Sequence, residues 1–208
     1  MKKIISLSVW GNQDRYRIGA LKNIDLSKTI FPEWEVFLYV DSISWIPPHY
    51  RENIHIIECG PSLNWSGLFW RFISFFDNNG YVISRDADSR LTEREKKAVD
   101  EWIGSGKTFS IVRDHIRHFD FPMLGGMWGA KSPLGKDLLE KMALYKNKGI
   151  YLSDQEFLAR EVWPIAQKDS MIHDIISEGW FKNSRQTVGN RFIGQGYTSE
   201  DRPIYPAD

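Results

Sequence analysis

Residues 80–102, GYVISRDADSRLTEREKKAVDEW, run from an apolar segment into two carboxylates one residue apart, and then straight into a helix start. The segment YVIS has the β-branched and aromatic content of a strand. Thr92 and Glu95 form a capping box for a helix over EREKKAVDEWI that Gly104 or Gly106 ends. A strand that hands over directly to a helix is half of a βα unit, and the same alternation extends in both directions. Upstream, KKIISLSVW reads as the first strand, and DRYRIGALKNIDLSKTI as a helix with Ile18, Leu21 and Ile24 at helical spacing. WEVFLYVD and NIHIIEC are further strands. SGLFWRFISFF then places Leu68, Phe72 and Phe75 or Phe76 on one helical face, before an Asn78-Asn79-Gly80 stop.

Downstream, TFSIV is a fifth strand, and FPMLGGMWGAK mixes apolar residues with glycines as a strand does where backbone must approach something closely. Ser132-Pro133 suits an N-cap and first helical position for LGKDLLEKMALY, and Ser153 with Glu156 suits a second capping box for DQEFLAREVW. After Asp169 the pattern loses its period, and residues from about 185 to 208 read as an irregular tail or lid. The expectation is an α/β fold over residues 1–208, one domain with a mixed, mostly parallel central sheet flanked by helices. Such sheets bind ligands beyond the carboxyl ends of their strands, where Trp10, Gly11, Asp41, Asp86 and Asp88 all fall.

Composition narrows the class. Lys+Arg and Asp+Glu balance at 27 each, so no global field recruits nucleic acid or an anionic membrane. The single cysteine, Cys59, excludes an intramolecular disulfide and a thiolate metal cluster, and fits a reducing compartment. The N-terminal apolar run is short, β-branched and interrupted by serine, unlike a signal segment, and nothing reaches the roughly 20 apolar residues of a membrane span. A soluble, cytoplasmic protein is expected, in the host cytoplasm for a viral chain. Nine tryptophans supply either core or ring platforms for sugars and bases. By position, Trp65 and Trp70 read as core and Trp128, among glycines, as the platform.

Three motifs fail. GSGKT at 104–108 resembles a phosphate loop, but Glu101 stands where its first glycine belongs and a helix leads into a strand rather than the reverse. DADSRLTEREKK has Leu91 at the turn glycine and Lys97 at the bidentate glutamate of a calcium loop. A dinucleotide-binding G-x-G-x-x-G is absent after the first strand. Asp86 and Asp88 therefore stand without those frames. Two carboxylates held together are costly unless a cation sits between them or one is protonated, and hard oxygen ligands suit Mg²⁺ or Mn²⁺ carrying the phosphates of a substrate.

An apolar strand ending in D-x-D, with a capped helix after it and Trp70 and Arg71 before it, resembles the GT-A superfamily of nucleotide-sugar glycosyltransferases over about residues 1–170. The short length is similar to stand-alone GT-A domains that build viral and bacterial surface glycans. The resemblance implies a metal-dependent hexosyltransferase, with Mn²⁺ or Mg²⁺ on Asp86 and Asp88, His173 as candidate third ligand, and Asp86 also touching the donor. It implies a nucleoside site of Val9, Trp10, Gly11 and Tyr16 with Asp41 accepting from the base, a donor sugar beside Gly125 and Gly126, and phosphate contacts from Arg71 and, through a closing tail, Arg191. UDP, as in UDP-glucose, is the commonest donor of that family, and the acceptor is a glycan or glycoprotein. Arg85 stands where the family commonly has an apolar residue. The base at the acceptor is open between Asp114, in the ion-rich stretch RDHIRH, and Asp154. Three other readings stand beside this one: a TDP-deoxysugar transferase, a phosphatase of the haloacid-dehalogenase type with the first aspartate as nucleophile, and a non-catalytic nucleotide- or sugar-binding domain.

Overall fold

The computed structural model describes residues 1–62, 64–176 and 191–204. Among them, seven strands form one sheet in the order β3-β2-β1-β4-β6-β5-β7. The strands are β1 (Lys2–Val9), β2 (Glu35–Val40), β3 (His55–Glu58), β4 (Gly80–Arg85), β5 (Phe109–Arg113), β6 (Met127–Ser132) and β7 (Ser170–Asp174). β6 runs antiparallel to β4 and β5; the other pairings are parallel. The helices are α1 (Asp14–Ile30), α2 (Pro48–Arg51), α3 (Ser74–Asp77), α4 (Glu93–Ser105), α5 (Lys136–Lys148), α6 (Ser153–Phe157) and α7 (Trp163–Ala166). None among the described residues is long and apolar enough to cross a membrane.

The sheet is covered on both faces because its central strands are apolar on both. Alternation sends Ile5, Leu7 and Ile83 to one side, where they pack with Ile24 of α1 and Val99 and Trp102 of α4. Ile4 and Val82 go to the other, against Phe69, Phe72, Phe75, Trp128 and Phe157. β1 pairs with β2 on one side and β4 on the other, so chain connections diverge there. That divergence opens a crevice beyond the carboxyl ends of β1 and β4, the place where sheets of this kind bind ligands.

Several local expectations are corrected. The segment expected to be an α-helix after Ser66 is a 3₁₀ helix, Trp65–Phe72, followed by the short α3. Its true period is three: Phe69, Phe72 and Phe75 are all fully buried, and 3₁₀ winding eclipses residues i and i+3 onto one line. Helix α5 begins at Lys136 with Gly135 as N-cap rather than at Ser132-Pro133, because the Ser132 hydroxyl donates to Phe75 O at 3.0 Å. Ser153 is the first residue of α6, not its cap, and donates to Ile150 O at 2.8 Å. Thr92 does cap α4, accepting from Glu95 N–H at 3.1 Å, but the Glu95 carboxylate leaves the box for Arg85. β7 lies where the sequence lost its period; it is a short edge strand beside β5. The described part of the expected tail, residues 191–204, is irregular, with one bridge between Tyr197 and Pro203; residues 185–190 and 205–208 lie outside the described residues.

Arg85 is a strut rather than a departure without purpose. Its side chain, 2% exposed, pairs with Glu95, 1% exposed, and donates to Trp128 O at 3.0 Å, tying β4 to α4 and β6. Removing one partner of a buried pair strands the other charge. Glu95→Ala is expected to lower stability by about 3–5 kcal/mol in urea unfolding, and the double change Arg85→Met with Glu95→Leu to recover most of that loss.

Candidate functional site

The crevice beyond β1 and β4 is a cavity of about 670 Å³ whose walls include Trp10, Tyr16, Arg71, Asp86, Asp88 and Asp154. Its floor is the turn that follows β4, and that turn is held from α1. Asn23 is buried; its amide donates to Ala87 O at 3.2 Å and Ser89 O at 2.9 Å, and its oxygen accepts from Leu91 N–H at 3.0 Å. Gly19 of the same helix lies so close that a Cβ there would overlap Ala87 O. Gly126 likewise leaves no room for a Cβ beside the Asp86 carboxylate, nor Gly125 beside Arg71 and Asp154. These two glycines are the close approach that the sequence suggested, made to site carboxylates.

Arg71, at the end of the 3₁₀ segment, is buried and bridges two acids: it pairs with Asp86 and reaches Asp154 Oδ2 at 3.3 Å. Arg15, stacked on Tyr16 at 4.4 Å, stands 3.8 Å from Asp88. Burial, with the charge of Asp86 second, pushes the Asp88 carboxyl up to about 6. Burial also raises Asp154, with Arg71 opposing. The nucleoside-side candidates Val9, Trp10, Gly11 and Tyr16 all line the cavity, Val9 as a buried residue at the end of β1. Asp41 accepts the Gly11 N–H at 2.7 Å, which fixes the loop after β1.

Asp41 is off the cavity wall, and three further candidates stand elsewhere. Asp114 is fully buried, paired with Arg94 at 2.6 Å and accepting Ile193 N–H at 2.9 Å, and does not line this cavity. His173 lies on β7 with Glu101 of α4 at 3.0 Å and is likewise off the cavity wall, so it does not join Asp86 and Asp88. Arg191 lines a second cavity with Lys22 and Arg90, 6.0 Å from the Tyr197 ring. Among the described residues no group of three or more His, Cys, Asp or Glu is arranged to hold a metal. The stretch RDHIRH anchors the C-terminal segment instead: His115 stacks on Phe192 at 4.3 Å, and that segment then crosses the site, Tyr197 N–H donating to Asp88 O at 2.9 Å.

The tryptophans are exchanged relative to expectation. Trp128 is buried and stacked on Phe75 at 3.9 Å, because β6 turns it into the core. Trp65 is on the cavity wall, beside Tyr151 and Trp10. Arg15, Tyr151 and Gln155 are not singled out by the sequence; Arg15 and Gln155 have only their adjacency to Tyr16 and Asp154 as a signal.

No protein-family model and no curated protein matches the sequence. Solved structures do match. A glycosyltransferase involved in the glycosylation of the major capsid of PBCV-1 is 14% identical, over 84% of this chain and 82% of that chain, with a TM-score of 0.49. Rv0371c from Mycobacterium tuberculosis H37Rv is 8% identical over 84% of this chain and 90% of that one, with a TM-score of 0.50. TarS from S. aureus, residues 1–349, is 16% identical over 55% of this chain and 36% of that one, with a TM-score of 0.41. The likeness is one of fold, an α/β architecture with a mixed, mostly parallel sheet flanked by helices.

The anchor under the C-terminal segment makes a test of its own. His118 Nδ1 accepts Asp114 N–H at 3.0 Å, and burial first, then the charge of His115, pushes the imidazole down to about 4, with Asp86 opposing. The unfolded chain takes up that proton near pH 6.5. Between about pH 6.5 and 4 the unfolded state therefore binds more protons, and stability falls with pH, by about 3 kcal/mol over the window. Asp88, raised in the folded state, has the opposite sign below about pH 6. His118→Asn keeps an acceptor for Asp114 N–H and removes only the histidine's share. Urea midpoints of the variant, measured at about pH 7 and pH 4.5, are expected to fall less between the two than those of the unaltered chain.

Proposed function

We propose that this chain is a metal-dependent glycosyltransferase that moves a sugar from a nucleoside-diphosphate donor, a UDP-sugar such as UDP-glucose, to a glycan or glycoprotein. The reading is carried by Asp86 and Asp88, two carboxylates at the switch point of the sheet, 43% and 15% exposed. Burial and mutual repulsion resist their joint ionisation, and a cation relieves both. The donor set fits Mg²⁺ or Mn²⁺, which take one or two protein carboxylates and complete their shell with phosphates and water, so a third protein ligand is not required. When bound, the ion supplies Lewis-acid stabilisation of the departing nucleoside diphosphate.

The chain's own residues then divide the work. Trp10, Gly11 and Tyr16 flank the nucleoside, and Asp41, which accepts Gly11 N–H, holds their loop in place from outside the cavity wall. Arg15 is the cation beside Asp88 that a diphosphate draws to itself. Arg71 keeps Asp86 oriented. Gly125 and Gly126 let the sugar lie against backbone. Asp154, on the cavity wall and raised by burial with Arg71 opposing, is the carboxylate we assign to take the proton of an acceptor hydroxyl in an inverting transfer; Asp114 is off that wall. The C-terminal segment, with Gly194 and Gly196 on the cavity wall, excludes water.

Calorimetry of UDP, TDP, GDP and CMP, each with Mn²⁺ and with EDTA, tests the reading. UDP is expected to bind with Mn²⁺ only; preference for TDP instead would name a deoxysugar donor. Even outer-shell partners of metal ligands are worth about 10–100-fold in affinity, so Asp86→Ala and Asp88→Ala, which remove direct ligands in this reading, are each expected to weaken UDP–Mn²⁺ binding by about 100-fold or more, with the melting temperature kept in Asp88→Ala and lowered in Asp86→Ala, which takes a partner from buried Arg71. Asp154→Asn is expected to lower turnover by about 10²–10⁴ while UDP still binds. Metal-independent behaviour toward all four nucleotides would remove the transferase reading and leave a phosphatase assay as the next measurement.

A further inference from the structure

The rim of the cavity carries an apolar surface that the donor reading does not use. Trp65 is 41% exposed and Tyr151 is 62% exposed; their ring centroids are 4.8 Å apart and their planes meet at 57°, forming an open corner on the cavity wall. Trp10 closes the corner from behind, edge-on to Trp65 at 6.4 Å. Large aromatic surface left in water at a cavity mouth marks a ligand contact.

The corner is built rather than incidental. Trp65 N–H donates to Gly149 O at 3.4 Å, joining the 3₁₀ segment to the loop after α5. Gly149 takes φ +61°, and a Cβ there would overlap the Asn64 amide. Leu152 also takes a left-handed φ of 65°, a cost for a side chain with Cβ that persists only where the surroundings impose it. The effect of that turn is to leave Tyr151 exposed while Asp154, three residues on, is buried on the same cavity wall. Beside the rings stand groups that donate and accept hydrogen bonds: Ser62, Asn64 and Gln155. Apolar ring faces bordered by hydroxyl and amide groups match a pyranose, which offers C–H bonds on its faces and hydroxyls at its edge.

We infer that Trp65 and Tyr151 form the acceptor subsite and that the acceptor presents a pyranose ring there, its free hydroxyl toward Asp154. The inference rests on the transferase reading for its role and on the geometry of the rings for its ligand. It also separates the acceptor from an unglycosylated peptide side chain, which lacks the flat C–H face.

Saturation-transfer NMR on the full chain, with the methyl pyranosides of glucose, galactose, mannose, xylose and rhamnose as probes, tests it, with UDP–Mn²⁺ calorimetry run on the same samples. At least one glycoside is expected to receive saturation on its ring-face protons. Tyr151→Ala and Trp65→Ala are expected to reduce that transfer several-fold and Tyr151→Phe to keep it. Tyr151 is mostly in solvent, so its loss leaves the fold intact even if Trp65→Ala does not. Transfer to none of the five, or transfer unchanged in Tyr151→Ala, overturns the subsite. Loss of UDP binding in Tyr151→Ala without any glycoside signal assigns the rings to the nucleobase and also overturns it. A glycoside signal that depends on Tyr151 in a chain that binds no nucleotide keeps the sugar subsite and removes the transferase reading, so the two failures are distinguishable.

Discussion

The guanidinium of Arg71 is the junction on which the site depends. Its side chain is 5% exposed, and it joins Asp86 at the end of β4 to Asp154 at the start of α6, two segments 68 positions apart in the chain. The backbone of the same residue is fixed independently, since the Ser6 hydroxyl of β1 donates to Arg71 O at 2.6 Å. A planar cation with forked donors can hold two carboxylates at set angles where a lysine would hold one. Without it, Asp86, Asp88 and Asp154 would be three buried or half-buried like charges around one cavity, an arrangement that drives at least one toward protonation. Two guanidinium groups, Arg71 within the pocket and Arg15 beside Asp88, offset part of the charge of these three carboxylates.

The frame around this junction was legible because its signals are local. β1, β2 and β4 are apolar on both faces, and continuous apolar runs between helical segments identify a covered parallel sheet. Asp86 and Asp88 were legible for the same reason: the strand before them ends where the apolar run ends. What the sequence concealed depends on register or on partners distant in the chain. Phe69, Phe72 and Phe75 satisfy a period of three, but in an eleven-residue window with neighbouring Leu68 and Phe76 a period of 3.6 fits as well. Trp128 and Trp65 changed places because a glycine-flanked ring looks accessible in one dimension, while β6 delivers it into the core through its pairing with β4.

The ionisable residues outside the pocket follow a second logic. Asp114, His118 and His173 are the residue types of a catalytic or metal site, and sequence alone gives them that standing. In the fold they are consumed by neighbours: Asp114 by Arg94 and the Ile193 amide, His118 by the Asp114 amide, His173 by Glu101. Such pairs contribute little net stability over an apolar replacement, but each fixes one geometry, because removing either partner leaves a buried polar group unsatisfied. For Asp114 and His118 the geometry fixed is the path of residues 191–204, through the Ile193 amide and the Phe192 ring; His173 joins β7 to α4.

That path matters because it separates two cavities. On one side Gly194 and Gly196 face the Asp86–Asp88 pocket; on the other Arg191, Gln195 and Tyr197 face the space between α1 and the segment before α4. Gly194 has φ +82° and a Cβ there would overlap the Met127 sulfur, so the chain can pass only as glycine. Asp201 completes the attachment, accepting from Arg90 at 2.7 Å and pairing with Lys22 of α1. Helix α1, which clamps the floor of the pocket through Asn23, thus also pairs with the C-terminal segment through Lys22, one residue earlier, and so touches both the turn after β4 and the segment that lines the pocket wall.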